Sequence, residues 1–84
     1  MNREIKILVL KIMNSALEVT YNTTHDVVVG FVANVKLLKV LIYKDGWTER
    51  YPNLERIEID LNREEAKVQL ENIWHEINDL YYKD

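Results

Sequence analysis

The sequence contains no cysteine. A disulfide framework, a thiolate nucleophile and a cysteine-ligated zinc are therefore excluded, and the composition fits a cytoplasmic setting. Glycine and proline are scarce, two and one respectively in 84 residues. The chain thus has no linker, no repeat and no glycine-rich loop to cradle a phosphate. It also lacks an excess of positive charge. The formal net charge is -3, whereas non-specific nucleic-acid binding needs surplus Lys and Arg to displace counterions. The same value is too mild for an acidic mimic of nucleic acid. Finally, there is no long hydrophobic run. The opening MNREIKILVLKIMNSALE is interrupted by Lys11 and carries Glu4 where a secretory signal would be basic. It reads neither as a signal peptide nor as a bilayer span, so no membrane association is expected.

What is present specifies a fold. With 48% hydrophobic residues, the chain has material for one domain with a modest core. It reads as a single α+β domain over 1–84, arranged α-β-β-β-α: helix 3–20, strands 26–33, 36–44 and 54–61, and helix 63–82. In the first segment Ile5, Leu8, Ile12, Ala16 and Val19 recur at helical spacing, with Val9, Met13 and Leu17 beside them, and Asn2 is placed as a cap. A strand over IKILVL is the competing reading, because Ile5, Ile7 and Val9 are β-branched. In the last segment Ala66, Leu70, Ile73, Ile77 and Leu80 form one stripe with Trp74 and Tyr81 at its edge. Asn62 and Glu65 have capping-box spacing ahead of that stripe.

The middle, DVVVGFVANVKLLKVLIYK, reads as a hairpin with Asn34 and Val35 as its turn. Val27 then faces Ile42, Val29 faces Val40 and Phe31 faces Leu38 on a wholly apolar core side. Both helices are expected on that side of a three-stranded antiparallel sheet. LERIEIDL alternates cleanly, and a register with Ile57 beside Ile42 sets Lys39 opposite Asp60 and Tyr43 opposite Arg56.

This layout leaves a surplus. Val28, Val32, Leu37, Leu41 and Tyr43 fall on the other face of the sheet around Lys39, with charges from the third strand at the rim. An apolar patch with a polar rim marks a partner surface, unless another part of the chain covers it. The loop KDGWTERYPN adds Trp47, Arg50 and Tyr51, residue types that dominate interface hot spots. Folding of Trp47 back onto the core is the alternative.

Little in the chain suggests chemistry. Glu71, His75 and Asp79 line one side of the last helix, but a metal site normally needs more ligands, so a solvated face is expected there. His25 reads as a turn residue. Ser15, Thr23, Thr24 and Thr48 lack activating partners. The carboxylates at 55, 58, 60, 64 and 65 read as exposed rather than as a buried acid–base pair. Lys36, Lys39, Lys44 and Arg50 with Tyr43 and Trp47 form at most a small basic strip among acids. Neither an enzyme nor a cofactor is expected.

The layout of HDVVVGFVANVKLLKVLIYKDGW, followed by LERIEIDL and a capped helix, resembles small single-domain proteins of phages and prophages, some anti-CRISPR proteins among them. The resemblance lies in layout over most of the chain and carries no residue-level motif. It implies a stoichiometric inhibitor or accessory factor that binds a host protein. The mild net charge disfavours nucleic-acid mimicry and leaves steric blocking. The expected function is therefore a non-enzymatic protein-binding domain. Self-association into a homodimer is the alternative, and weak nucleic-acid binding a more distant one.

Overall fold

Polar residues at 22–25 stop the first apolar periodicity, and the chain turns there from helix to strand. The computed structural model describes residues 3–46 and 54–83. Its elements are α1 (Arg3–Asn22), β1 (Asp26–Val32), β2 (Leu37–Tyr43), β3 (Leu54–Asp60) and α2 (Ala66–Lys83). The strands form one antiparallel sheet in the order β1-β2-β3, and the helices pack on it. This is the α-β-β-β-α arrangement that the residue pattern predicts.

In α1 the stripe Ile5, Leu8, Ile12, Ala16 and Val19 is buried, which rules out the strand reading of IKILVL. The helix runs two residues beyond the expected end at position 20, because its last carbonyls find side-chain donors. Asn22 Nδ2 donates to the Glu18 carbonyl at 2.9 Å, and the Thr23 hydroxyl donates to that of Val19 at 2.7 Å. The proposed cap Asn2 lies outside the described residues.

Thr20 ties α1 to the sheet. Its hydroxyl accepts from the Val27 amide at 3.0 Å and donates to the Val27 carbonyl at 3.4 Å. One side chain therefore satisfies both backbone groups that Val27 turns away from β2. Thr20→Val keeps the shape and removes both bonds. It is predicted to lower stability by about 1–2 kcal/mol, read as a lower urea midpoint with an unchanged slope. An unchanged midpoint would show that the clamp is energetically idle.

The β1–β2 register is the expected one, with Val27 beside Ile42, Val29 beside Val40 and Phe31 beside Leu38. The turn is longer than the expected Asn34–Val35 pair and spans residues 33–36. The left-handed position of this turn falls on Lys36 (φ 52°). Extending a hairpin loop by one residue on each side leaves the register unchanged, so the strands kept their partners.

The β2–β3 register differs from the expected one by two residues. Ile57 lies beside Val40 rather than Ile42, Lys39 faces Glu58 rather than Asp60, and Leu41 rather than Tyr43 faces Arg56. A two-residue slide preserves every inward and outward assignment, so the alternation could not exclude it. Its consequence is at the end of the sheet, where Ile42 is set beside Glu55.

The core joins Val27, Leu38, Val40, Ile42, Ile59 and Leu61 to Ala66, Leu70, Ile73 and Ile77 of α2 and the stripe of α1. Between the helices, Trp74 Nε1 donates to the buried Ser15 hydroxyl at 3.1 Å, and the Lys11 ammonium lies 5.2 Å from the Trp74 ring centroid. Phe31, expected in the core, is 51% exposed. It has the right parity, but α1 engages the start of β1, at Val27 and Val29, and Phe31 stands at the far end of that edge strand.

The entry to α2 also differs from expectation. Residues 61–65 form turns, and the helix begins at Ala66 rather than 63. Asn62 does not act as a cap here. Its amide nitrogen donates to the Val35 carbonyl at 3.4 Å, and its backbone N–H to Asp60 Oδ1 at 2.9 Å. At the opposite end of the sheet, His25 serves as the expected turn residue, its Nδ1 accepting from the Asp45 amide at 2.9 Å. Gly46 follows with φ 89°, and a Cβ there would stand 3.2 Å from the Thr24 carbonyl oxygen, so that turn requires glycine.

Candidate functional site

Even-numbered residues of β1 point away from the helices, as do odd-numbered residues of β2 and even-numbered ones of β3. This follows from strand alternation once Val27, Val40 and Ile59 are fixed in the core. The face so defined carries Val28, Val32, Leu37, Lys39, Leu41 and Tyr43, the residues singled out from the sequence. Among the described residues no helix packs on it. Val28 is 49% exposed, Lys39 is exposed, and Val32, Leu37, Leu41 and Tyr43 are half-buried by their sheet neighbours. Leu54, opposite Tyr43, extends the apolar area onto β3. Trp47, Arg50 and Tyr51, the other part of the expected site, lie outside the described residues.

Most of the charge on this face lies on β3, with Lys39 on the middle strand and Asp26 at the start of β1. Lys39 sits opposite Glu58 and Leu41 opposite Arg56, and these four line a shallow cavity of about 180 Å³. Apart from Asp26 and Lys39, the β1 and β2 positions of this face are apolar, and apart from Leu54 those of β3 are charged. Gly30 interrupts the apolar side chains of β1. Its φ is outside the left-handed region, and a Cβ built on it would meet nothing within 4 Å. Neither backbone strain nor an internal neighbour requires glycine there. An interior strand glycine of that kind suits close approach by something outside the chain.

Among the described residues the lysines of the basic strip do not come together. Lys36 precedes β2 and Lys44 follows it, roughly 25 Å apart at the rise of an extended strand, and Lys39 between them faces Glu58. Glu71, His75 and Asp79 remain a one-sided row on α2, and no group of three or more metal-ligating side chains is found among the described residues. No helix of the described residues is long and apolar enough to cross a membrane.

The structure adds two features beyond the sequence reading. The first is a carboxylate pair. Glu55, expected on the solvent side, shares the helix-facing side with Ile57 and Ile59 and meets Glu76 of α2. Both acids line a groove of about 250 Å³ with Ile57, Ile59 and Ile73. Burial, then a hydrogen bond to Glu55 and repulsion from its charge, push the Glu76 carboxyl up to about 7, against a smaller opposing pull from Lys44. Parity was the available signal, since Glu55 lies two residues before the inward Ile57.

The second is a second apolar side to α1. Leu10, Met13, Leu17 and Tyr21 recur at intervals of three and four and remain 45–81% exposed. Met13, Leu17 and Tyr21 line a groove of about 240 Å³ together with Val27 and Val29 of β1. This surface borders the free edge of the sheet. Compared with protein-family models, with curated proteins and with solved structures, the chain matches none.

Proposed function

We propose that the chain is a non-enzymatic, cytoplasmic protein-binding domain that docks a partner on the open sheet face. One observation carries this reading. On the face opposite both helices Val28, Leu41 and Tyr43 lie on one side of the Gly30–Lys39 row and Val32 with Leu37 on the other, with Arg56 and Glu58 at the rim. Apolar area with a charged rim is the usual anatomy of an interface. Gly30 supports it further by opening a notch beside Val28. The resemblance in layout to small phage proteins supports the finer version, an inhibitor that occludes a host protein sterically.

The test is a double substitution, Leu41→Gln with Tyr43→Gln. Neither side chain reaches the helix-facing core, so the far-ultraviolet dichroism and the melting transition are expected to hold. Retention of a protein captured from host lysate by the wild-type chain is expected to fall on the order of 30-fold, as for removal of hot-spot contacts. A double variant that unfolds would make this face core. One that binds as well as the wild type would place the partner elsewhere.

A further inference from the structure

The two outer strands of the sheet are not alike. β3 reads LERIEID and carries Glu55, Arg56, Glu58 and Asp60. Edges protected in this way resist pairing with another strand. β1 reads DVVVGFV and has no charge after Asp26 and no proline. It is an edge strand all the same, since among the described residues its only sheet neighbour is β2.

The free backbone groups of that edge can be assigned. Both backbone groups of Val27 turn outward, because they bond the Thr20 hydroxyl rather than β2. In an antiparallel ladder the direction alternates, so Val29 and Phe31 also turn theirs outward. Thr20 closes the edge at Val27 and leaves the stretch from Val29 to Phe31 open.

The apolar side of α1 stands over the same edge. Leu10 is 55% exposed, Leu17 57%, Tyr21 81% and Phe31 51%. With Met13 they leave on the order of 600 Å² of surface uncovered if each side chain presents about 200 Å². A stable interface takes about 800 Å² from each partner, a value that the backbone and side chains of the edge strand itself would bring within reach.

We infer that this surface binds a second copy of the chain, β1 against β1, in a two-fold dimer with a continuous six-stranded sheet. An antiparallel strand is its own complement, so one patch serves on both copies. The symmetric register that uses every open group is centred on Gly30. It pairs Val29 of one copy with Phe31 of the other, and no charge meets a like charge across the seam. The symmetry axis runs through the sheet, so the two α1 helices lie on the same side of it. Packed helices need about 8–10 Å between axes, which is twice the strand spacing of about 4.8 Å. Helices seated one on each side of the seam therefore meet through Leu10, Met13 and Leu17. The open sheet face takes no part in the contact and is doubled in width by it.

Sedimentation equilibrium of the intact chain over a concentration series is the test, with three variants. The wild type is expected to dimerise in the micromolar range. Leu17→Glu puts a charge at an exposed helix position, and Phe31→Pro removes an amide that β2 does not use. Each is expected to weaken the dimer at least 30-fold while the melting transition of the monomer is kept. Leu41→Gln with Tyr43→Gln is expected to dimerise like the wild type, which separates this contact from the partner surface proposed above. A wild-type chain that stays monomeric at millimolar concentration overturns the inference, whether or not it pairs with a foreign strand. So does a dimer lost in the Leu41/Tyr43 variant and kept in the other two.

Discussion

Ile12→Ala is expected to cost about 2–5 kcal/mol of unfolding free energy, the range for deleting a large aliphatic side chain from a site that cannot collapse. Ile12 is fully buried at the middle of the α1 stripe, within a core that draws on both helices and all three strands. A chain of 84 residues has a total stability of roughly 4–13 kcal/mol. The loss is therefore a large part of the whole, and if the total lies at the lower end of that range the variant would be partly unfolded at 37 °C. Leu10→Ala on the same helix, measured at a concentration low enough for the chain to be monomeric, is the internal control. Leu10 is more than half exposed, and alanine is the better helix former, so its effect should lie within about 0.5 kcal/mol of zero. Urea denaturation of the two variants side by side decides the matter. Equal losses would mean that the two faces of α1 are not distinguished by burial.

The same helix shows how far sequence pattern reaches. Its buried stripe, from Ile5 to Val19, was legible because period 3.6 over about four turns has few competitors. Its second apolar side was visible only as Met13 and Leu17 beside the stripe, since a pattern does not say whether a neighbour will cover a side chain. Phe31 repeats the point: its parity put it on the core side, and nothing local revealed that α1 would engage the other end of β1. The β1–β2 register was fixed by a short hairpin, where an error of one residue would turn every side chain over. The β2–β3 register had no such constraint, because a long connection permits sliding by two. Lys39 finds an acid in either alignment, Asp60 or Glu58, so charge pairing did not discriminate. That slide also decides which β2 residue stands beside Glu55, and with it the setting of the carboxylate pair. On the open face, the assignment of Val28, Leu37, Leu41 and Tyr43 followed from parity alone and matches their placement in the sheet. Hydropathy did not anticipate the difference between the two edges, which lies in where charge falls along the outer strands.

Between pH 5 and 8 the wild-type chain should lose stability as pH rises, and Glu76→Gln should remove most of that loss. In the folded chain the Glu76 carboxyl holds its proton up to about 7, whereas its ordinary value is 4.5. The folded state therefore binds more protons than the unfolded state inside that window. The stabilisation is complete below 4.5 and is lost as pH rises through 7, opposite in direction to an ion-paired acid. The full difference would correspond to about 3 kcal/mol. Glu76 keeps some contact with water, and screening reduces the expected loss to on the order of 1–2 kcal/mol. Its charged neighbours are Glu55 from β3 and Lys44 after β2, and Gln69 and Asn72 of its own helix line the same groove. Of the charged ones, Glu55 acts against ionisation and Lys44 for it, the acid being the stronger. Glutamine at 76 is neutral at every pH and still donates to the Glu55 carboxylate. Glu76→Gln should thus be the more stable protein at pH 8 by about 1 kcal/mol and nearly equal to the wild type at pH 5. Urea midpoints of both chains across this range measure the difference directly. A gap between them that does not widen from pH 5 to pH 8 would mean that Glu76 ionises in the folded chain as freely as in water, and that α2 does not press it against Glu55.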